Sequence, residues 1–235
     1  MVIPKTLIII FILFYSTTSA QEIINRQQND SLLIIDYYQI QDSSDLYFPN
    51  KFFIDTINSF GQERTREFYE IRMQGGWYRN SLYSEQIKML KEPILFNLPN
   101  QESYRFIWFG YLKSSHNPIS LRLKKNDEDI RLYVKYISSG EKQNEPIFNS
   151  DTIIVSKNSW NSIISKIDSI EFWNISPIEK TNIVSMDGSV WIFEGKKDNK
   201  YHMVHRQNGY NKEIGELCRL LLRLSKLNIK KKEIY

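Results

Sequence analysis

The sequence predicts an α+β fold: a mostly antiparallel sheet built from hairpins, with amphipathic helices packed on one face and a helical N-terminal part before it. Three observations predict this. Beyond about residue 100, short runs of β-branched and aromatic residues recur between turn signals; single stretches of helical periodicity interrupt them; and there is neither βαβ alternation nor a Gly-rich phosphate turn.

The elements follow in order. Residues 1–20, MVIPKTLIIIFILFYSTTSA, carry one Lys, an apolar run and a small-residue end, which reads as an export signal cleaved after Ala20. Residues 21–100 read as a mainly helical segment packing on the core. Its first apolar run, SLLIIDYYQI, fits either an edge strand or a helix turn. Phe53, Ile57, Phe60, Phe68 and Ile71 then keep helical spacing around a weak point at Gly61, and Gly75-Gly76 ends that helix. A second helix fits 81–91, with Leu82, Tyr83, Gln86, Ile87 and Leu90 on one face and Pro93 as its stop.

Residues 101–235 form the antiparallel domain. YRFIWFGYL, ISLRLK and DIRLYVKYI are its first strands, with KNDED as a hairpin turn, and TIIVS adds another. Ser156 or Ser159 caps a helix through about Ile167, with Trp160, Ile163, Ile164 and Ile167 on one face. The stretch 187–209 is a hairpin with GKKDN as its loop. Ile214 to Leu227 is the last helix, with Leu217, Leu220, Leu221 and Leu224 inward.

Composition narrows the setting. After the signal, no apolar run approaches the roughly 20 residues of a membrane span, so a soluble exported chain is expected, periplasmic or secreted. Cys218 is the only cysteine, so no internal disulfide forms even in an oxidising compartment. It lies among leucines, where a buried inert thiol is expected. The formal charge is +4, and residues 196–235 hold eleven Lys or Arg against four Asp or Glu. That basic end has no interleaved aromatic platform, which disfavours nucleic acid as a partner and favours a solvated helix face.

The chemistry-bearing residues gather in DGSVWIFEGKKDNKYHMVHRQNG, residues 187–209. Pairing Glu194 with Lys200 across the loop puts Phe193 opposite Tyr201, Trp191 opposite Met203 and Ser189 opposite His205. The other face then holds His202 with Glu194 and Arg206 near its ends. His202 and His205, three apart on a strand, point to opposite faces, so they cannot share one ion, and no metal or cofactor is expected. Ser189, His205 and Asp187 share a face, but the exposed nucleophile turn and oxyanion donors of a hydrolase are not visible, so no catalytic residue is assigned. The candidate ligand-binding residues are His202, Arg206 and Glu194, suited to a small anionic ligand, together with His116 in the SSHNP turn. Trp108, Trp160 and Trp191 sit at inward positions and read as core.

ESYRFIWF (102–109), SHNPISLRLKKND (115–127), DSIEFWNI (168–175), MDGSVWIFEG (186–195) and YHMVHR (201–206), followed by a Cys-containing leucine helix, resemble a family of uncharacterised exported bacterial proteins over about residues 92–225. The resemblance implies export and one coherent domain, and it carries over no catalytic residues. This chain departs from it at YISSGEKQNEP, where a Gly-rich, Trp-containing segment is expected. The function expected is a non-enzymatic binding or envelope-associated module. The alternatives are an extracytoplasmic hydrolase and an inhibitor or immunity-like protein that binds a protein partner.

Overall fold

The computed structural model describes residues 46–49, 52, 79–99, 101–110, 118–127, 129–139, 146–179 and 189–229. The chain separates into two compact units, Met1–Ser44 and Asp45–Tyr235, and every described residue belongs to the second. The export signal, the run at 31–40, the helix expected from Phe53 to Ile71, His116 and Asp187 lie outside the described residues.

Six strands form one antiparallel sheet in the order β4-β3-β2-β1-β5-β6. They are β1 (Ser103–Phe109), β2 (Ile119–Lys125), β3 (Ile130–Ser139), β4 (Pro146–Ile154), β5 (Val190–Lys197) and β6 (Lys200–Gln207). The expected α+β class is the observed one. Among the described residues three α-helices accompany the sheet: α1 at 79–89, α2 (Lys157–Ser169) and α3 (Gly215–Ser225). The strand expected at 152–156 starts earlier, because PIFNSD extends the ladder with β3 back to Pro146.

α2 forms where the sequence places its cap. The Ser156 side chain accepts the Ser159 backbone N–H at 3.1 Å, and Trp160, Ile163 and Ile167 are buried along one face. α3 buries Leu217, Cys218, Leu221 and Leu222, and Lys226 ends it in the left-handed region at φ 56°. Both helices cover one sheet face, lined by Tyr104, Phe106, Trp108, Leu121, Leu123, Leu132, Val134, Trp191, Phe193 and Val204. Fully burying one such side chain contributes about 1.5–3 kcal/mol.

Among the described residues, apolar cover on the opposite face lies over β1, β5 and β6. Tyr47, Phe48, Tyr83 and Ile87 pack there on Ile107, Phe109, Val190, Ile192 and Met203. α1 buries Asn80, Tyr83, Ser84, Ile87 and Leu90, whereas Leu82, expected inward, is exposed. Polar bonds fix this cover: Asn80 Nδ2 donates to the Phe48 carbonyl at 2.7 Å, and the Tyr47 amide donates to Ser84 Oγ at 2.9 Å. Because both faces of β1 are covered, every one of its residues is buried and its pattern does not alternate.

The β5–β6 hairpin differs from the expected pairing. Its loop is the two residues Asp198-Asn199, with Asp198 at φ 52°, and Lys197 pairs with Lys200. Phe193 therefore faces Val204, Trp191 faces Arg206 and Glu194 faces Met203. The shift of three residues exchanges the faces of β6 relative to β5. His202, Val204 and Arg206 share the face of Trp191 and Phe193, while Tyr201, Met203 and His205 share the face of Glu194 and Ile192.

Candidate functional site

The structure puts the sequence-derived site residues in separate places. His202 lies on the α2/α3 side, where its Nε2 is 2.9 Å from the Ile175 carbonyl oxygen and its ring meets Phe172 edge-on. Burial pushes its pKa down, so Nε2–H donates to that carbonyl from a neutral ring. Arg206, nearly fully buried, donates to the carbonyls of Ser176 (2.9 Å), Pro177 (3.3 Å) and His205 (2.7 Å) and forms a two-point pair with Glu213 at 3.1 Å. Both side chains thus hold the segment after α2 against β6. In the same place, the His205 backbone N–H donates to the Pro177 carbonyl at 2.7 Å and Ile178 bridges to His205 in parallel.

The register also separates the serine and histidine of the triad reading. Ser189 Oγ accepts the Trp191 indole N–H at 3.0 Å on one side of the sheet. His205 sits on the other, with Nε2 3.2 Å from the Tyr83 hydroxyl. Burial, with Arg79 and Arg206 adding to it, lowers the His205 pKa to about 4, which leaves it neutral. Among the described residues no group of three or more His, Cys, Asp or Glu is placed to hold a metal. Cys218 is buried, and burial pushes its thiol pKa well up.

Glu194 belongs to a charged row that runs across the covered face: Tyr133, Arg122, Arg105 and Glu194 stand side by side on β3, β2, β1 and β5. Glu92, just after α1, drops onto this row. Its carboxylate lies 3.3 Å from Arg105 Nη1, 2.7 Å from Arg122 Nε and 3.2 Å from Lys135 Nζ. Arg105 Nη2 is 2.6 Å from Glu194 Oε1, and the Tyr201 hydroxyl donates to Glu194 Oε2 at 3.3 Å. The side chains of Arg105, Glu92 and Glu194 are all completely buried. Burial pushes Glu194 up to about 7, with Arg105 pulling the other way. For Glu92 burial acts in the same sense, but Arg105, Arg122 and Lys135 outweigh it and hold the carboxyl below its ordinary range.

Sequence reading missed this network except for Glu194. Its signal is a charge in the middle of an otherwise apolar strand, as in YRFIWF, ISLRL and VWIFEG. Such a residue is expected to be paired when buried. Arg105 Nε and Ser120 Oγ bond to nothing among the described residues, and both are buried.

Among the described residues, the outer edge of β4 has no strand beside it in the sheet. Val155 donates to the Ile130 carbonyl at 2.8 Å, which fixes the phase of the ladder: residues 147, 149, 151 and 153 point their backbone groups at β3, and 148, 150, 152 and 154 point theirs away. Among the described residues the only bond to these outward groups is local, from the Thr152 N–H to the Asp151 carboxylate at 2.7 Å. Ile147 (49% exposed) and Ile154 (65% exposed) stand out on this strand as large apolar side chains open to solvent. Residues 147–154 carry no Lys, Arg or Pro, and the β3–β4 register runs without a bulge; Pro146 at the start of the strand and the charged Asp151 are its blunting features.

No protein-family model matches the chain, and no curated protein matches it. No helix among the described residues is long and apolar enough to cross a membrane.

Proposed function

We propose that the chain is an exported, non-enzymatic binding module that recognises its partner by strand addition along β4. The observation that carries this reading is the regular edge, free of bulges, with outward backbone groups at 148, 150, 152 and 154 flanked by two exposed isoleucines. Strand addition draws its affinity from backbone bonds and its selectivity from alternate side chains. The histidines and Arg206 support the same reading from the other direction. An anion at His202 and Arg206 would have to displace the carbonyls of Ile175, Ser176 and Pro177 and the Glu213 carboxylate.

The experiment is affinity capture from the envelope fraction of the native host, with the natural chain and with Ser150→Pro as baits. Proline at 150 removes an outward N–H and leaves the ladder to β3 intact. One stoichiometric partner captured by the natural chain and lost with Ser150→Pro is the expected result. Equal capture by both baits contradicts the reading.

A hydrolase acting outside the cytoplasm has one observation in its favour: Glu194, pushed up to about 7, stands between Arg105 and Tyr201, as a general acid would. Its complete burial opposes substrate access. Turnover of an ester or glycoside by the purified chain, lost in Glu194→Gln, would decide for it.

A further inference from the structure

We infer that the strand added to β4 is β4 of a second copy of this chain, antiparallel about a two-fold axis through Ser150, joining two six-stranded sheets into one. This rests on β4 being the binding edge and names its occupant.

A two-fold axis perpendicular to the sheet keeps corresponding faces on the same side, so paired residues must share a face and their backbone bonds must come from the outward set. Three central registers meet that condition. Centring on Asp151 sets two carboxylates directly opposite each other, which is destabilising. Centring on Asn149 sets Ile147 opposite Asp151. Centring on Ser150, the midpoint of Pro146–Ile154, sets Ile147 opposite Ile153, Asp151 opposite uncharged Asn149, and Phe148 opposite Thr152.

The centred register engages the outward groups of Phe148, Ser150 and Thr152 and sets Ile154 opposite Pro146, which has no N–H to offer. The two Ser150 residues exchange both backbone bonds, and Phe148 and Thr152 do so on each side. Thr152 gives up its bond to the Asp151 side chain and gains a carbonyl of the second copy. On the α2 side, the exposed Ile147 is covered by Ile153, which already leans on the main core. On the opposite side Ser150 and Thr152 are exposed and small, and Phe148 and Ile154 flank them on the same face.

The test combines sedimentation equilibrium with cysteine cross-linking of the full chain. The mass of the natural chain is expected to double as concentration rises, and Ser150→Pro is expected to weaken association at least about tenfold, as the loss of backbone bonds implies. In the centred register the two Ser150 Cα atoms stand about 5.5 Å apart, within disulfide range. Ser150→Cys should therefore cross-link under diamide. Asn149→Cys alone should not, but a mixture of Asn149→Cys and Asp151→Cys should. Buried Cys218 does not compete.

A chain that stays monomeric at every concentration, or Asn149→Cys cross-linking as readily as Ser150→Cys, overturns the inference. If the chain is monomeric and Ser150→Pro still loses capture of another protein, self-pairing falls while the binding reading stands. If Ser150→Pro changes neither mass nor capture, both fall.

Discussion

β6 and β4 are edge strands of similar length in one sheet, and their surroundings differ in every respect that governs pairing. β6 is closed by its own chain: Pro177 accepts from the His205 backbone, Ile178 bridges to it, and His202 and Arg206 hold the carbonyls around Pro177 in place. Beside β6 both faces of the sheet are covered, one by α3 and its neighbours and the other by α1 and residues 46–49. β4 has no such closing segment among the described residues, and the face carrying Ser150, Thr152 and Ile154 is exposed. An edge is therefore not sticky because it is an edge. It is sticky when the chain leaves its backbone groups and nearby apolar side chains uncommitted.

The most severe way to break the closed side is to remove the cation at its centre. Arg105→Ala leaves Glu194 and Glu92 buried without their main partner, and is expected to destabilise by about 3–5 kcal/mol in urea unfolding. A loss under about 1 kcal/mol would mean that the network carries little weight. Proline substitutions sharpen the contrast within β4 itself. Asn149→Pro removes a bond to β3 and should lose about 3 kcal/mol, whereas Ser150→Pro should lose under about 1 kcal/mol in the same assay.

On the β6 side, Arg206→Ala unpairs the Ser176 and Pro177 carbonyls and should destabilise by about 1–3 kcal/mol, with faster amide exchange at His205. An unchanged His205 exchange rate would show that the backbone bond alone closes this edge. The smallest effect expected is in pH dependence. Glu194, raised to about 7 from 4.5, keeps a proton in the folded state that the unfolded carboxyl has lost, so its contribution is full below 4.5 and is lost as pH rises through about 7. His205, lowered to about 4 from 6.5, acts oppositely: its contribution is full above 6.5 and is lost as pH falls through about 4. The two oppose each other between 4.5 and 6.5. Glu194→Gln should therefore make stability rise with pH across that window more steeply than in the natural chain, by up to about 1.4 kcal/mol per pH unit. An unchanged slope would place the Glu194 titration elsewhere.

Much of the sheet was legible in the sequence, because aromatic and β-branched runs such as YRFIWF and DIRLYVKYI fit only a pleated, covered surface. Ser156, Trp160, Ile163 and Ile167 likewise announce α2 by cap and spacing. The hairpin register was not legible, and the reason is specific. Matching Glu194 to Lys200 satisfies both charges locally, but the partner of Glu194 is Arg105 on β1, far away in sequence. That leaves the Asp198-Asn199 turn to set the pairing with two exposed lysines opposite each other. Glu92 was hidden for a related reason: a carboxylate before Pro93 looks like a helix end, and only the sheet beneath it supplies Arg105, Arg122 and Lys135. The open edge of β4 depends on strand order, which no local pattern encodes.

The most direct test is residue-resolved amide exchange by NMR, comparing Phe148 and Ser150 with Asn149 and Asp151 at low and high protein concentration. Asn149 and Asp151 should be protected at both concentrations by the ladder to β3, and Phe148 and Ser150 should be protected only at the high one. Phe148 and Ser150 amides that exchange freely at every concentration would contradict the account.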